Sequence, residues 1–439
     1  MNIVQLTPGA GGMYCGACMR DNALAAALRK LGHDTLLIPL YTPLTTEEKD
    51  NSHERIFFGG LNVFLQQKAA LFRKTPEWVD RGLDNPALIK KALSFGIKTE
   101  PKELGELTIS MLKGEDGFQA KELSKLTRWL SENSKPDVIC LSNILLAGVT
   151  RQLQKTLKVP VLCTLQGEDF FLDGLPAPQR TQAWDLLRER AAEIDGFIAV
   201  SDYYGKVMQS RLALRPERIH VIHNGIDVTG YEPSGPAGDA VPVLGFLARM
   251  APEKGLRTLV DAFRRLRASH PALRLHVAGS KTAGDESFVS DVQTQLKKDG
   301  LSEHVSFFPN VTRQQKIDFL RSLTVFSVPA EYGESFGLYV LEALACGVPV
   351  VQPGNGGFPE ILAQTGGGKL YEPGNVTQLA SHIDALLLNA DLRRELGNTG
   401  RKAVLEKFTL ERMAADVATT FQKVRESHGK PLAGATHGK

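Results

Sequence analysis

The stretch Glu334-Ser335-Phe336-Gly337-Leu338-Tyr339-Val340-Leu341-Glu342-Ala343-Leu344-Ala345-Cys346-Gly347 places two glutamates at the entry and the middle of an apolar segment. Leu338, Leu341 and Ala345 recur at helical spacing, and Gly347 with Pro349 closes the pattern, so the segment reads as a helix entered at Glu334. At the helical rise the two carboxylates would stand on the order of 12 Å apart along the axis. That is too far for one metal ion and beyond the roughly 5 to 9.5 Å of a paired glycosidase acid and base. It suits an elongated ligand with hydroxyls at both ends and a diphosphate between them, lying on the unpaired N–H groups of a helix start. Gly337 would let that ligand approach the backbone closely.

Upstream, Gly245-Phe246-Leu247-Ala248-Arg249-Met250-Ala251-Pro252-Glu253-Lys254-Gly255 follows an apolar strand and leads into helical periodicity from Leu256 to Leu266. Arg249 by a forked hydrogen bond and Lys254 as a point charge suit a diphosphate at the mouth of a strand-to-helix turn. Such turns are where open α/β sheets bind ligands.

Short apolar strands alternate with helical patterns on both sides of this region. In the first half strands are expected at 2–6, 138–141, 161–165 and 197–200, with helices at 21–31, 120–132 and 182–194. In the second half they are expected at 242–248, 273–278, 305–308, 324–328 and 348–351. This alternation predicts an α/β chain with two parallel-sheet, Rossmann-like domains facing across a cleft. The breaker-rich text around Thr229-Gly230-Tyr231-Glu232-Pro233-Ser234-Gly235 marks the linker. The expected units are residues 1–228, residues 241–405, a closing helix at 406–427 returning to the N-terminal domain, and a tail at 428–439. The segment 45–120, with a helix-like patch at Ala87 to Phe95, fits the alternation least and reads as an insertion lining the cleft.

The chain of 439 residues is long enough for two cores, and its net charge of +3 calls for no nucleic acid. Five cysteines, at 15, 18, 140, 163 and 346, read as reduced thiols of a cytoplasmic protein. The N-terminus lacks the pattern of a signal peptide, and no apolar run approaches a membrane span, so any membrane contact is peripheral. Cys15-Gly16-Ala17-Cys18 offers too few ligands for zinc and reads as packing or acceptor-pocket lining. Gly9-Ala10-Gly11-Gly12 lacks the third glycine of the dinucleotide fingerprint, and no Asp-x-Asp pair is present.

Glu334-x7-Glu342 with Ala345-x-Gly347-x-Pro349-Val350-Val351, the Arg249 and Lys254 pair, and His223-Asn224-Gly225-Ile226-Asp227 together resemble a family 4 glycosyltransferase of the GT-B fold. The resemblance implies a retaining transfer without metal or cofactor, from a nucleoside diphosphate sugar to a hydroxyl acceptor. UDP is the default donor nucleotide, with GDP and ADP as alternatives; the acceptor is a glycan, a lipid-linked glycan or a small metabolite. It implies Arg249 and Lys254 on the donor diphosphate, Glu342 on the ribose and Glu334 on the sugar. It further places backbone groups of Phe336, Gly337 and Leu338 on the sugar and its phosphate, with Gly11 and Gly12 facing the donor from the other domain. Ser335 and Asn224 complete the expected substrate-binding set. The family usually carries a His in the turn after strand 161–165, where this chain has Gln166-Gly167-Glu168-Asp169. Gln166 can hydrogen-bond a sugar but cannot act as a base, and Glu168 or Asp169 reads as a substitute or as a cap. The rival readings are a sugar-nucleotide epimerase and a non-catalytic nucleotide-sugar-binding protein.

Overall fold

A computed structural model of the chain describes residues 1–9, 16–68, 72, 73, 75, 101–233 and 241–429. Two six-stranded sheets form within them, and every strand pair is parallel. The first sheet holds β1 (Asn2–Thr7), β2 (Asp34–Pro39), β3 (Val138–Leu141), β4 (Val161–Leu165), β5 (Gly196–Ala199) and β6 (Ile219–Val221), in the order β2-β1-β3-β4-β5-β6. The second holds β7 (Val243–Leu247), β8 (Arg274–Gly279), β9 (Val305–Pro309), β10 (Val325–Phe326), β11 (Val350–Pro353) and β12 (Gly368–Tyr371), in the order β12-β11-β10-β7-β8-β9. Helices cover both faces, so β3, β4, β5, β7 and β11 are buried along their whole length, which explains their unbroken apolar text.

Each sheet reverses its direction of growth once, between β1 and β3 in the first and between β7 and β10 in the second. At such a reversal the connections leave toward opposite faces and open a crevice beyond the carboxyl ends of the strands. The loops that carry the expected site leave from these positions.

The sequence reading missed β2, β6 and β12, which are edge strands. An edge strand is covered less completely, so its text need not be apolar: β6 is Ile219-His220-Val221 and is half-buried to exposed. The helix expected at 182–194 spans Ala177–Ala191 instead, because Pro178 sits in its first turn, where its missing N–H costs nothing. The larger correction concerns the opening segment. The helix there is Leu338–Ala345, capped by Gly337 at φ +100°, and Glu334, Ser335 and Phe336 precede it as irregular chain. The helical rise therefore does not measure the separation of Glu334 from Glu342.

The chain passes between the two sheets twice, and the crossings are tied to each other. The Ile226 N–H donates to the Phe408 carbonyl at 2.9 Å, and the Leu410 N–H donates to the Ile226 carbonyl at 3.0 Å. Gly225 is required there, since a Cβ would stand 2.1 Å from the Thr409 carbonyl oxygen. The final helix, Leu410–Ser427, then buries Met413, Val417 and Phe421 against Ile3, Leu24 and Leu162 of the first half. Of the segment 45–120, Thr46, Glu47 and Glu48 line the cleft, whereas Pro101–Leu112 packs on the Ala177–Ala191 helix. The patch at 87–95 lies outside the described residues.

Candidate active site

A cleft of about 410 Å³ lies between the carboxyl ends of the two sheets. Its first-half wall is built by the start of the Gly16–Lys30 helix after β1, by Gln166 after β4, and by the Asn224 to Asp227 crossing. Its second-half wall is built by Arg249 and Lys254 after β7 and by Glu334 to Tyr339 with Glu342 after β10. Arg249, Lys254, Glu334, Glu342, Gln166, Ser335, Phe336, Gly337, Leu338 and Asn224 all line this one cleft. Gly11, Gly12 and Cys15 lie outside the described residues.

Glu334 is held by three elements. Its Oε2 accepts from Lys254 Nζ at 2.6 Å and from the Tyr339 hydroxyl at 2.8 Å, and its carbonyl accepts from the Gly357 N–H at 2.8 Å. Lys254 Nζ also donates to the Tyr332 hydroxyl at 2.5 Å. Burial works against the Lys254 ammonium, but the Glu334 carboxylate and Tyr332 outweigh it and hold its pKa above the ordinary lysine value. The chain can turn from Glu334 into the helix because Gly337 adopts a left-handed conformation; a Cβ there would be strained and would stand 2.9 Å from the Phe358 ring. Tyr332 and Tyr339 stand two residues before and five after Glu334, spacings that carried no signal in the sequence.

Arg249 is half-exposed and grips Asp285, with Nε at 3.1 Å and Nη2 at 2.8 Å from Oδ1. Asp285 is buried, at 3% exposure, and also accepts from the Thr282 hydroxyl at 2.6 Å and the Thr282 N–H at 2.9 Å. Burial raises the Asp285 pKa, yet the hydrogen bonds from Arg249 and Thr282 prevail and leave it below the usual carboxylate value. Asp285 thus orients the guanidinium, a role with no local signal because 36 residues separate the partners. Glu342 accepts from the Tyr231 hydroxyl at 3.0 Å and from Lys316 Nζ at 2.6 Å, and Lys316 reaches across to Glu47 at 2.6 Å. A carboxylate left unpaired among Leu341, Ala343 and Leu344 would be costly, and Lys316 and Tyr231 avoid that cost.

On the first-half wall, Gln166 Nε2 donates to the Ser142 carbonyl at 2.6 Å. Glu168 is buried, and its carboxylate accepts from the Ile144, Gln166 and Gly167 N–H groups and from the Tyr204 hydroxyl. Asp169 accepts from the same Tyr204 hydroxyl at 2.9 Å. Of the two roles open to these acids, the geometry is that of the cap: they shape the turn after β4 and do not line the cleft. The walls are stitched together by Ser201 Oγ donating to the Ser335 carbonyl at 2.6 Å and Ser335 Oγ donating to the Gln166 carbonyl at 2.9 Å. Asn224, also buried, accepts from Arg20 Nε at 3.2 Å.

Cys18, Cys140, Cys163 and Cys346 are buried. Burial pushes the Cys140 thiol up to about 11 and the Cys346 thiol up to about 12, so neither supplies a thiolate near neutrality. Among the described residues no helix is long and apolar enough to cross a membrane, and no three His, Cys, Asp or Glu side chains are grouped to hold a metal ion.

Two parallel α/β sheets whose switch points open onto one cleft define the GT-B class. Solved structures share this arrangement over almost the whole chain. A sucrose-phosphate synthase from Thermosynechococcus elongatus matches with a TM-score of 0.73 at 17% identity, over 97% of this chain and 100% of that one. The Anabaena protein HepE, in complex with UDP and glucose, matches with a TM-score of 0.68 at 19% identity, over 96% and 99%. In sequence, the glycosyl transferases group 1 model matches residues 232–403 and the Glycosyltransferase Family 4 model matches residues 109–229. The alpha-maltose-1-phosphate synthase of Mycolicibacterium smegmatis is 31% identical over 52% of this chain and 63% of its own length. The match thus spans less than two thirds of that relative. With both halves matched and the GT-B arrangement in place, the chain belongs to the family 4 glycosyltransferases.

Proposed function

We propose that the chain is a retaining, metal-independent glycosyltransferase that moves a sugar from a nucleoside diphosphate sugar to a hydroxyl acceptor. The observation that carries this reading is the row of groups along one cleft wall: Arg249, the start of the Leu338–Ala345 helix, Lys254 with Glu334, and Glu342. A diphosphate laid across the helix start meets backbone N–H groups there and the two cations beside it. Glu334 then accepts hydrogen bonds from hydroxyls of the donor sugar, and Glu342 from those of the ribose. As the bond from the anomeric carbon to the phosphate oxygen breaks, charge grows on the diphosphate, where Lys254, Arg249 and the helix start stabilise it in place.

The acceptor proton needs a destination. Gln166 cannot take it, and Glu168 and Asp169 face Tyr204 rather than the cleft. The departing phosphate oxygen takes it instead, on the face from which the acceptor oxygen bonds to the anomeric carbon, so the configuration is retained. The acceptor enters along the first-half wall.

The test incubates the full chain with UDP-, GDP- and ADP-hexoses, UDP first because the HepE structure holds it, and with glycan, lipid-linked glycan and small-metabolite acceptors. Mass spectrometry should find a glycosylated product and NMR a retained anomeric configuration, with turnover unaffected by chelator. An altered donor sugar without transfer would make the chain an epimerase, and donor binding without turnover a binding protein. Loss of turnover on chelation would overturn the metal-free reading.

A further inference from the structure

Arg20 is used by none of these steps. It lies in the first turns of the Gly16–Lys30 helix, lines the cleft, and has a side chain only 1% exposed. Nε is satisfied by Asn224 at 3.2 Å and Nη1 by Asp21 at 3.0 Å. Nη2 has no acceptor among the described residues and is closed off from solvent. A buried guanidinium nitrogen without a partner is unfavourable, so an incoming oxygen atom has something to gain from it.

The surroundings favour an oxyanion. Among the described residues Asp21 is the sole carboxylate on Arg20; burial pushes its carboxyl up, and its other oxygen already accepts from the Ser142 hydroxyl. Glu47 and Glu48, which line the same cleft, are turned to Lys316 at 2.6 Å and Arg313 at 3.5 Å. The first turn of the helix carries no acidic side chain, and among the described residues nothing stands within 4 Å of a Cβ placed on Gly16. The positive end of the helix and the unpaired nitrogen therefore lie on one stretch of wall.

We propose that Arg20 and the first turn of its helix form an oxyanion site on the first-half wall, and that the acceptor carries a phosphate or carboxylate which fills it. The proposal rests on the transferase reading for the word acceptor, though not for the site. The donor diphosphate has its charged partners, Arg249 and Lys254, and the Leu338 helix start on the opposite wall, so it can be bound without Arg20.

Calorimetry on the full chain tests this with inorganic phosphate, glucose 6-phosphate and glucose, each with and without a saturating amount of whichever of UDP, GDP or ADP binds best. Phosphate and glucose 6-phosphate should bind in both conditions and glucose in neither. Arg20→Gln should weaken phosphate binding by about tenfold or more, the scale of one charge-assisted hydrogen bond, while nucleotide affinity changes less than about twofold. Arg20→Lys should restore part of it. Disappearance of all phosphate binding under saturating nucleotide, or loss of nucleotide affinity in Arg20→Gln, would assign the nitrogen to the donor and overturn the proposal. Absence of phosphate binding would leave Nη2 to ordered water, with the same consequence. Should Arg20→Gln fail to fold, Arg20→Lys and the competition in the wild-type chain still decide. Transfer to neutral acceptors at rates indifferent to Arg20→Lys would overturn the anionic acceptor alone. Arg20-dependent phosphate binding in a chain that transfers nothing would overturn the transferase reading alone.

Discussion

The two walls of the cleft handle charge differently. On the second-half wall each cation rests on a carboxylate, Arg249 on Asp285 and Lys254 on Glu334, whereas on the first-half wall Arg20 keeps one guanidinium nitrogen unmatched. A paired cation is already oriented, so little reorganisation remains when ligand charge arrives, but the ligand must share it with the resident carboxylate. The difference teaches that the pairs on the second wall are not equivalent. Lys254 and Glu334 are both largely buried, at 16% and 11% side-chain exposure, while Arg249 is 49% exposed over a buried Asp285. Breaking the first pair disturbs the wall itself; breaking the second removes a hand that reaches into the cleft.

The largest expected effect comes from Glu334→Gln, which keeps the shape and removes the charge. Turnover on the true acceptor should fall by about 10² to 10³, the scale of one preorganised electrostatic group, while nucleotide affinity stays within about threefold. Near-wild-type turnover would remove Glu334 from the chemistry and leave it a structural partner of Lys254.

Next comes the contrast between the cations. Arg249→Ala and Lys254→Ala should each weaken nucleoside diphosphate binding by about tenfold to a hundredfold, as the loss of a charge-assisted hydrogen bond does. Both should also destabilise the fold: Lys254→Ala by about 3 to 5 kcal/mol, because it strands the Glu334 carboxylate in a buried position, and Arg249→Ala by less, because the Asp285 carboxylate keeps its two bonds from Thr282. Calorimetry and denaturant melts read the two effects separately. Unchanged diphosphate binding in the double variant would refute the phosphate role.

What the sequence disclosed follows the same division between local and distant partners. The β-α alternation was legible because central parallel strands are buried on both faces and must be apolar; β6 and β12 were not, because edges carry no such demand, whereas β2, with Leu36, Leu37 and Ile38, carried the apolar signal and was missed. Glu334, Glu342, Arg249 and Lys254 stood out because their charges sit beside glycines and apolar strands that only a folded cleft explains. Their partners did not. Asp285, Lys316 and Tyr231 meet them from 36, 26 and 111 residues away, and spacing carries no information at such distances. Gly337 was legible as a close-approach residue, yet its left-handed φ also starts the helix at Leu338 rather than at the expected entry, Glu334, since Glu334 to Phe336 are pulled toward Ser201, Gln166 and Lys254 by tertiary bonds.

The smallest effect sharpens the comparison most, because it separates orientation from charge. In Asp285→Asn the Arg249 guanidinium keeps its charge but loses the carboxylate that fixes it. Diphosphate binding at neutral pH should therefore weaken by only a few-fold, less than in Arg249→Ala, with a stability loss of about 1 to 2 kcal/mol for the charge-assisted bonds. The acid limb gives the sign. Asp285 has its pKa lowered in the folded chain from an ordinary value of 3.8, so its contribution is fully present above that value and is lost as pH falls through the lower, folded one. The wild-type stability advantage over Asp285→Asn should hold from neutral pH down to about 4 and shrink below it. An advantage unchanged at pH 3 would mean that neither Arg249 nor Thr282 favours the ionised carboxyl in the folded chain, and Asp285 would then lose its role in orienting the guanidinium.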